Sequence, residues 1–169
     1  MKLALVLACA LAASAAADAA LRAPVTMTLD GVSGARPGMS VDAVSERWGV
    51  RLRPSYEVRA TCGQAILDRP GIAGYAIFMP RGRFGAVFLR KGAVTGRGIR
   101  AGSTLAQLRR AYPGLGSRPD RYIHGGRQYF LSRKRSPHWQ LRFDVSPSKR
   151  VTQIVFGEQV SVRLDEGCA

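Results

Sequence analysis

Three kinds of side chain in this sequence could do chemistry: cysteine, histidine and a large excess of arginine. Cys62 and Cys168 could be joined as a disulfide, could hold a metal together with His124 and His138, or could supply a nucleophilic thiol. Neither cysteine lies in a Cys-x-x-Cys spacing, and a catalytic thiol close to a chain end is rare, so a structural bond is expected and no metal site. Such a bridge would close most of the chain into one loop, which the chain-entropy model values at about 4–5 kcal/mol before strain is subtracted.

The histidines read as loop residues, because His124 precedes Gly125 and Gly126 while His138 follows Pro137. The run from Thr95 to Gly102 faintly resembles a dinucleotide-binding loop. It lacks a βαβ context and an acidic partner about 20 residues on, so its glycines are assigned to turns and no cofactor is expected. No Gly-x-Ser-x-Gly elbow, His-Glu-x-x-His helix or close acidic pair is present. Asp165-Glu166 reads as a charged tail beside Cys168, and Glu57 and Asp68 are isolated. A protein without catalytic residues is expected. An unrecognised secreted hydrolase is the third reading, and it would need a polar pocket containing His124 or His138.

The chain has 169 residues, 46% of them hydrophobic, and its 26 Lys+Arg against 11 Asp+Glu give a formal charge of +15. That length and apolar content fit one folded domain and disfavour disorder. All but four of the cations are arginine, whose planar fork suits phosphate and carboxylate. The densest clusters are Arg81 with Arg83, Arg90 with Lys91, Arg97 with Arg100, Arg109 with Arg110, Arg133-Lys134-Arg135, and Lys149 with Arg150. A basic surface of this kind attracts lipid phosphate, acidic glycan or nucleic acid. Nucleic acid fits least, since no recognition helix, zinc finger or RNP-type strand appears. The bland alternative is a compositional excess that serves solubility.

Met1, Lys2, the uncharged run Leu3 to Ala17 and then Asp18 have the parts of a secretory signal, with the cut expected after Ala17. Residues 1–17 are read as that signal and 18–24 as a linker. Cys9 loosely imitates a lipoprotein cleavage site, but the apolar run before it is too short for a signal core. Nothing later in the chain has the 18 or so apolar residues needed to span a bilayer. An exported protein, periplasmic or extracellular, follows, in a compartment where an even pair of cysteines is normally bonded.

The elements that must position these residues come in two copies. At an offset of 64, Gly34, Gly38, Ser40, Val41, Val44, Trp48 and Gly49 align with Gly98, Gly102, Thr104, Leu105, Leu108, Tyr112 and Pro113. Each copy has a glycine turn, a hydroxyl N-cap, two apolar residues on one helical face, an aromatic at the helix end and a breaker. Thr104 and Gln107 add a capping box. Trp48 and Tyr112 read as core or helix-end residues.

Strands are expected at Cys62 to Leu67, Gly74 to Met79 and Phe84 to Leu89 in the first half. In the second they are expected at Arg127 to Leu131, Trp139 to Val145, Val151 to Phe156 and Val160 to Leu164. Trp139, Leu141, Phe143 and Val145 alternate with Gln140, Arg142 and Asp144, and Val160, Val162 and Leu164 with Ser161, Arg163 and Asp165, giving each strand one dry and one wet face. Phe84 to Leu89 is apolar on both faces, as in a strand covered on both sides. The fold class is α+β: a tandem-repeat antiparallel sheet with short helices packed on one face, repeat 1 spanning residues 25–92 and repeat 2 residues 93–169.

The helix starts Gly38-Met39-Ser40-Val41-Asp42-Ala43-Val44 and Gly102-Ser103-Thr104-Leu105-Ala106-Gln107-Leu108, each followed by a small antiparallel sheet, resemble the β-lactamase inhibitor protein family. The same helix start is similar to one found in single copy in small outer-membrane assembly lipoproteins. The resemblance covers most of the mature chain in plan and about a dozen residues of each half in detail. It implies a secreted, non-enzymatic protein that binds other proteins through the open face of its sheet. Two departures stand out: one cysteine pair would tie the halves together where that family has a disulfide within each, and the charge is strongly basic.

The leading expectation is therefore an exported binding protein that contacts an envelope or extracellular macromolecule with its wet sheet face. Gln140, Arg142 and Arg163 would point from that face, either to a ligand or into cross-strand pairs with Asp144 and Asp165. The alternative is a polyanion-binding envelope protein using Arg133, Lys134, Arg135, Arg109 and Arg110.

Overall fold

A computed structural model describes residues 21–56, 62–133, 136–165 and 168. The expected signal segment 1–17, Glu57, Lys134, Arg135 and Glu166 lie outside the described residues. In chain order the elements are β1 (Val25–Thr28), β2 (Gly31–Val32), α1 (Val41–Trp48), β3 (Gly63–Arg69), β4 (Ile72–Met79), β5 (Arg83–Lys91) and β6 (Ala93–Thr95). They continue with α2 (Leu105–Ala111), β7 (Gly116–Pro119), β8 (Arg127–Arg133), β9 (Ser136–Val145), β10 (Val151–Glu158) and α3 (Gln159–Val162). The chain is mostly β-sheet with a few short helices, an α+β architecture.

Seven strands form one antiparallel sheet in the order β3-β4-β5-β10-β9-β8-β7, and β2-β1-β6 form a small second sheet. β5 and β10 meet in the middle, with Phe88 opposite Val155 and Ala86 opposite Gly157. The two helix starts are built alike. Ser40 Oγ accepts the Ala43 N–H, and Thr104 Oγ1 accepts the Gln107 N–H while Gln107 accepts back from Thr104 N–H, the capping box expected from their types. Gly34 and Gly98 have φ of 81° and 78°, and Gly38 and Gly102 87° and 89°, a region where a side chain is strained. Each turn is tied to the start of a central strand in a similar way: Arg83, the first residue of β5, donates from Nη1 to Gly38 O at 2.8 Å, and Arg150, just before β10, donates from Nη1 to Gly102 O at 2.9 Å.

α1 and α2 cover one face of the large sheet. Val44 and Trp48 of α1 and Leu108 of α2 join Phe84, Val87, Leu89, Phe143 and Phe156 in the main core. Trp48 is wholly buried, its indole N–H satisfied by Val32 O at 3.0 Å, and Tyr112 closes α2 in the same core, so both are packing residues. Leu21, placed by composition in a linker, is also in that core.

The other face is covered too, by the C-terminal segment. Val162 and Cys168 pack with Cys62, Ile77, Ala86, Phe88 and Val155 in a second cluster, and Cys62 is bonded to Cys168. The apolar character of both faces of β5 is thus explained, but the second cover is this segment and not α1 or α2. Residues Val160 to Leu164 are not the strand their alternation suggested. Both neighbours of β10 are already paired, so the chain leaves the sheet after Glu158 and turns into α3, exposing Val160 and burying Ser161 and Val162. No helix among the described residues is long and apolar enough to cross a membrane.

Candidate functional site

The alternation along β9 sends Leu141, Phe143 and Val145 into the main core and Gln140, Arg142 and Asp144 to the second face. That face is not wet at these positions. Arg142 is 2% exposed and Asp144 7%, because α3 and the segment after it lie across them. A charge this buried must be paired and hydrogen-bonded, and both are. Arg142 Nη1 donates to Asp165 Oδ1 at 2.9 Å and to Val162 O, Nη2 donates to Asp144 Oδ2 at 3.1 Å, and Nε lies 2.9 Å from Asp144 Oδ1. Its guanidinium also sits 5.3 Å above the Phe88 ring, which Tyr75 stacks on from β4.

Asp165 gathers the rest of the network. Arg118 Nη2, on the edge strand β7, reaches both its oxygens at 3.0 and 3.1 Å, and Gln128 Nε2 donates to it at 2.9 Å. Gln128 Oε1 accepts from Arg118 Nε at 2.7 Å, so the amide bridges arginine and carboxylate. Burial raises the Asp144 carboxyl to about 6 against the pull of Arg142, whose charge is shared with Asp165, and the nearby Asp120 and Asp165 add to the rise.

On the same face lies a cleft of about 490 Å³, floored by Gln128, Arg142, Asp144 and Asp165. Its rim includes Arg90, Thr152 and Gln153 from the strands and Asp120, Tyr122 and Ile123 from the loop between β7 and β8. That loop is set by Asp120, whose Oδ1 accepts the N–H groups of both Tyr122 and Ile123 at 2.9 Å, an Asx-type turn. It holds Tyr122 and Ile123 outward, 52% and 45% exposed.

The sequence-derived site residues are dispersed by the fold. Arg142 and Gln140 are buried, Gln140 Nε2 bonding Ser132 Oγ at 2.7 Å; Arg142 does meet Asp144 and Asp165, but not across strands, since Asp144 lies two residues on in β9 itself and Asp165 lies beyond α3. Arg163 follows α3 instead of standing on a strand, because the segment that carries it leaves the sheet. Arg133 ends β8. Arg109 and Arg110 part company: Arg109 lies 5.8 Å over the Tyr129 ring, while Arg110 lines a different cleft with Arg97, Arg100 and Arg150. His124 and His138 are exposed and line none of these clefts.

Sequence reasoning passed over Arg118, Asp120, Tyr122 and Ile123. The available signal was a large apolar pair set between Asp120 and Gly125-Gly126, turn residues that would hold it at the surface. Among the described residues no group of three His, Cys, Asp or Glu side chains is placed to hold a metal.

No protein-family model matches the chain, and no curated protein sequence matches it. Among solved structures, it is similar to a cysteine-rich secretory protein from Staphylococcus aureus, with a TM-score of 0.48 and 11% identity over 73% of this chain. The match spans 44% of that protein's length.

Proposed function

We propose that the chain is an exported, non-enzymatic binding protein of tandem-repeat build, similar in plan to the β-lactamase inhibitor protein family. It grips a protein of the envelope or the extracellular space at the open end of its second sheet face. One observation carries this reading: Tyr122 and Ile123 stand exposed on the rim of a cleft whose floor charges are already paired with one another. A rim of this kind offers an aromatic and an aliphatic anchor beside a floor that does not have to be rebuilt when water leaves, the arrangement of a binding hot spot.

Support for export comes from the Cys62–Cys168 bond, which belongs in an oxidising compartment, and from the signal-like residues 1–17. Support for duplication comes from the matched glycine torsions, the matched N-caps and the two arginine ties to Gly38 and Gly102. The non-enzymatic reading rests on the engagement of the cleft's most buried carboxylate, Asp144, with Arg142, and on neither histidine reaching the cleft.

The test is capture from an envelope extract by the purified mature protein, with elution at low and then high salt. A discrete protein held at high salt by the wild type and lost by Tyr122→Ser/Ile123→Ser supports the reading. Equal capture by the variant overturns it.

A further inference from the structure

A second cleft, of about 710 Å³, shares no residue with the first. Four arginines line it, Arg97, Arg100, Arg110 and Arg150, and no carboxylate does. Like charges gathered this way repel one another, and these four exposed arginines have no carboxylate partner among the described residues, whereas the buried Arg142 is matched by Asp144 and Asp165 and the half-buried Arg118 by Asp165.

Two of the four forks are fixed in advance. Arg97 Nη1 donates to Ala111 O, with its guanidinium 5.3 Å over the Tyr112 ring, and Arg150 Nη1 donates to Gly102 O. Each keeps further N–H donors. The side chains of Arg100 and Arg110 have no hydrogen bond or ion pair among the described residues, and so are free to close on a ligand. At the start of α2 Leu105 N–H is already used by Lys149 O and Gln107 N–H by Thr104 Oγ1, so the arginines supply most of the attraction.

The fold does not require this charge. Sixty-four residues earlier, around the equivalent turn and helix start, the positions of Arg97, Arg100 and Arg110 are held by Ser33, Arg36 and Glu46. Arg83 there makes the tie that Arg150 makes here. The same local structure is thus built with one acid among two arginines in the first half and with four arginines in the second.

We propose that this cleft binds a compact polyphosphate group. A guanidinium fork pairs with phosphate bidentately, and four of them call for a ligand carrying several negative charges within one cleft, which linked or neighbouring phosphates supply and singly spaced carboxylates do not. The source is either a soluble polyphosphate or a phosphorylated lipid headgroup.

The test is titration of the purified mature protein with inorganic tripolyphosphate at low salt, by calorimetry. The wild type is compared with Arg100→Gln/Arg110→Gln and with Arg51→Gln/Arg53→Gln, a control of equal net charge whose arginines are exposed and lie outside the cleft. One-site binding is expected, weakened about a hundredfold in the cleft variant and unchanged in the control. Equal weakening in both variants, absence of saturable binding, or equal affinity for polygalacturonate, a polycarboxylate, would overturn the proposal. Phosphatidylcholine vesicles containing phosphatidate separate the sources: vesicle binding lost only in the cleft variant assigns the lipid, and tripolyphosphate binding without it assigns the soluble anion. This cleft stands apart from the Tyr122 rim, so failure here leaves the protein-binding reading untouched, and the reverse.

Discussion

Arg142 Nη1 and Asp165 Oδ1 meet at 2.9 Å across 23 residues of sequence, tying an inner strand of the sheet to the segment that crosses it. The contact converts what the strand pattern offers as a solvent face into a second interior. It also leaves one end of that face as a cleft whose floor charges are paired, Arg142 with both carboxylates and Asp165 also with Arg118 from outside the cleft.

Removing the central partner should be costly. Arg142→Met leaves Asp144 and Asp165 without their shared cation, and breaking a buried pair from one side costs about 3–5 kcal/mol. Urea unfolding of the variant should show that loss, and the triple variant Arg142→Met/Asp144→Leu/Asp165→Asn should recover part of it. A loss under 1 kcal/mol would mean that the network is solvated.

Stability should fall as pH rises through the range from the ordinary carboxyl value of 3.8 to about 6. Asp144 holds its proton more tightly folded than unfolded, so between those values the native state binds more protons and each step up in pH works against it. The penalty is absent below the lower value, is complete above the upper one, and amounts to roughly 3 kcal/mol at 1.36 kcal/mol per pKa unit. Asp144→Asn should remove this component of the slope in denaturant midpoints measured across the window, and an unchanged slope would contradict it.

The reading of both helix starts from sequence succeeded because capping is local chemistry: a hydroxyl at Ser40 or Thr104 and the amide three residues on suffice. The main strands were legible from alternation, and β9 was correct in which residues share a face. What that face meets was not legible. Arg118 and Asp165 are 47 residues apart and join an edge strand to the C-terminal segment, a contact with no local signature. The strand expected at Val160 to Leu164 failed for the same reason, since its period-two pattern is also what one buried turn of helix followed by coil can show, and only the filled sheet decides between them. The small sheet was missed because β1 finds its parallel partner at β6, Val25 beside Ala93, through pairing of very short segments.

Breaking the disulfide should loosen the second face. Cys62→Ser/Cys168→Ser removes a link between residues 106 apart, worth about 4–5 kcal/mol in the chain-entropy model. Thermal unfolding with and without reductant should show a large drop in Tm for the wild type and none for the variant. Two titratable thiols in the native exported protein would contradict the bond.

The close approach of β4 to β5 should make Gly74 intolerant. A Cβ there would fall 1.9 Å from Phe88 O, a backbone atom that cannot rotate away. Gly74→Ala is expected to shift the sheet and cost more than the ~1–3 kcal/mol typical of overpacking, read as poor soluble yield and early urea unfolding. Gly114→Ser, where a Cβ meets nothing within 4 Å, should pay only for its φ of 81°.

The central claim, that a protein partner is gripped at the Tyr122 and Ile123 rim, is tested most directly by placing a photo-crosslinking residue at position 123 and, as control, at position 51, in the cell that exports the protein. The account predicts one discrete protein adduct from position 123 that is absent from position 51. Adducts of the same kind and yield from both positions, or none from position 123, would contradict it.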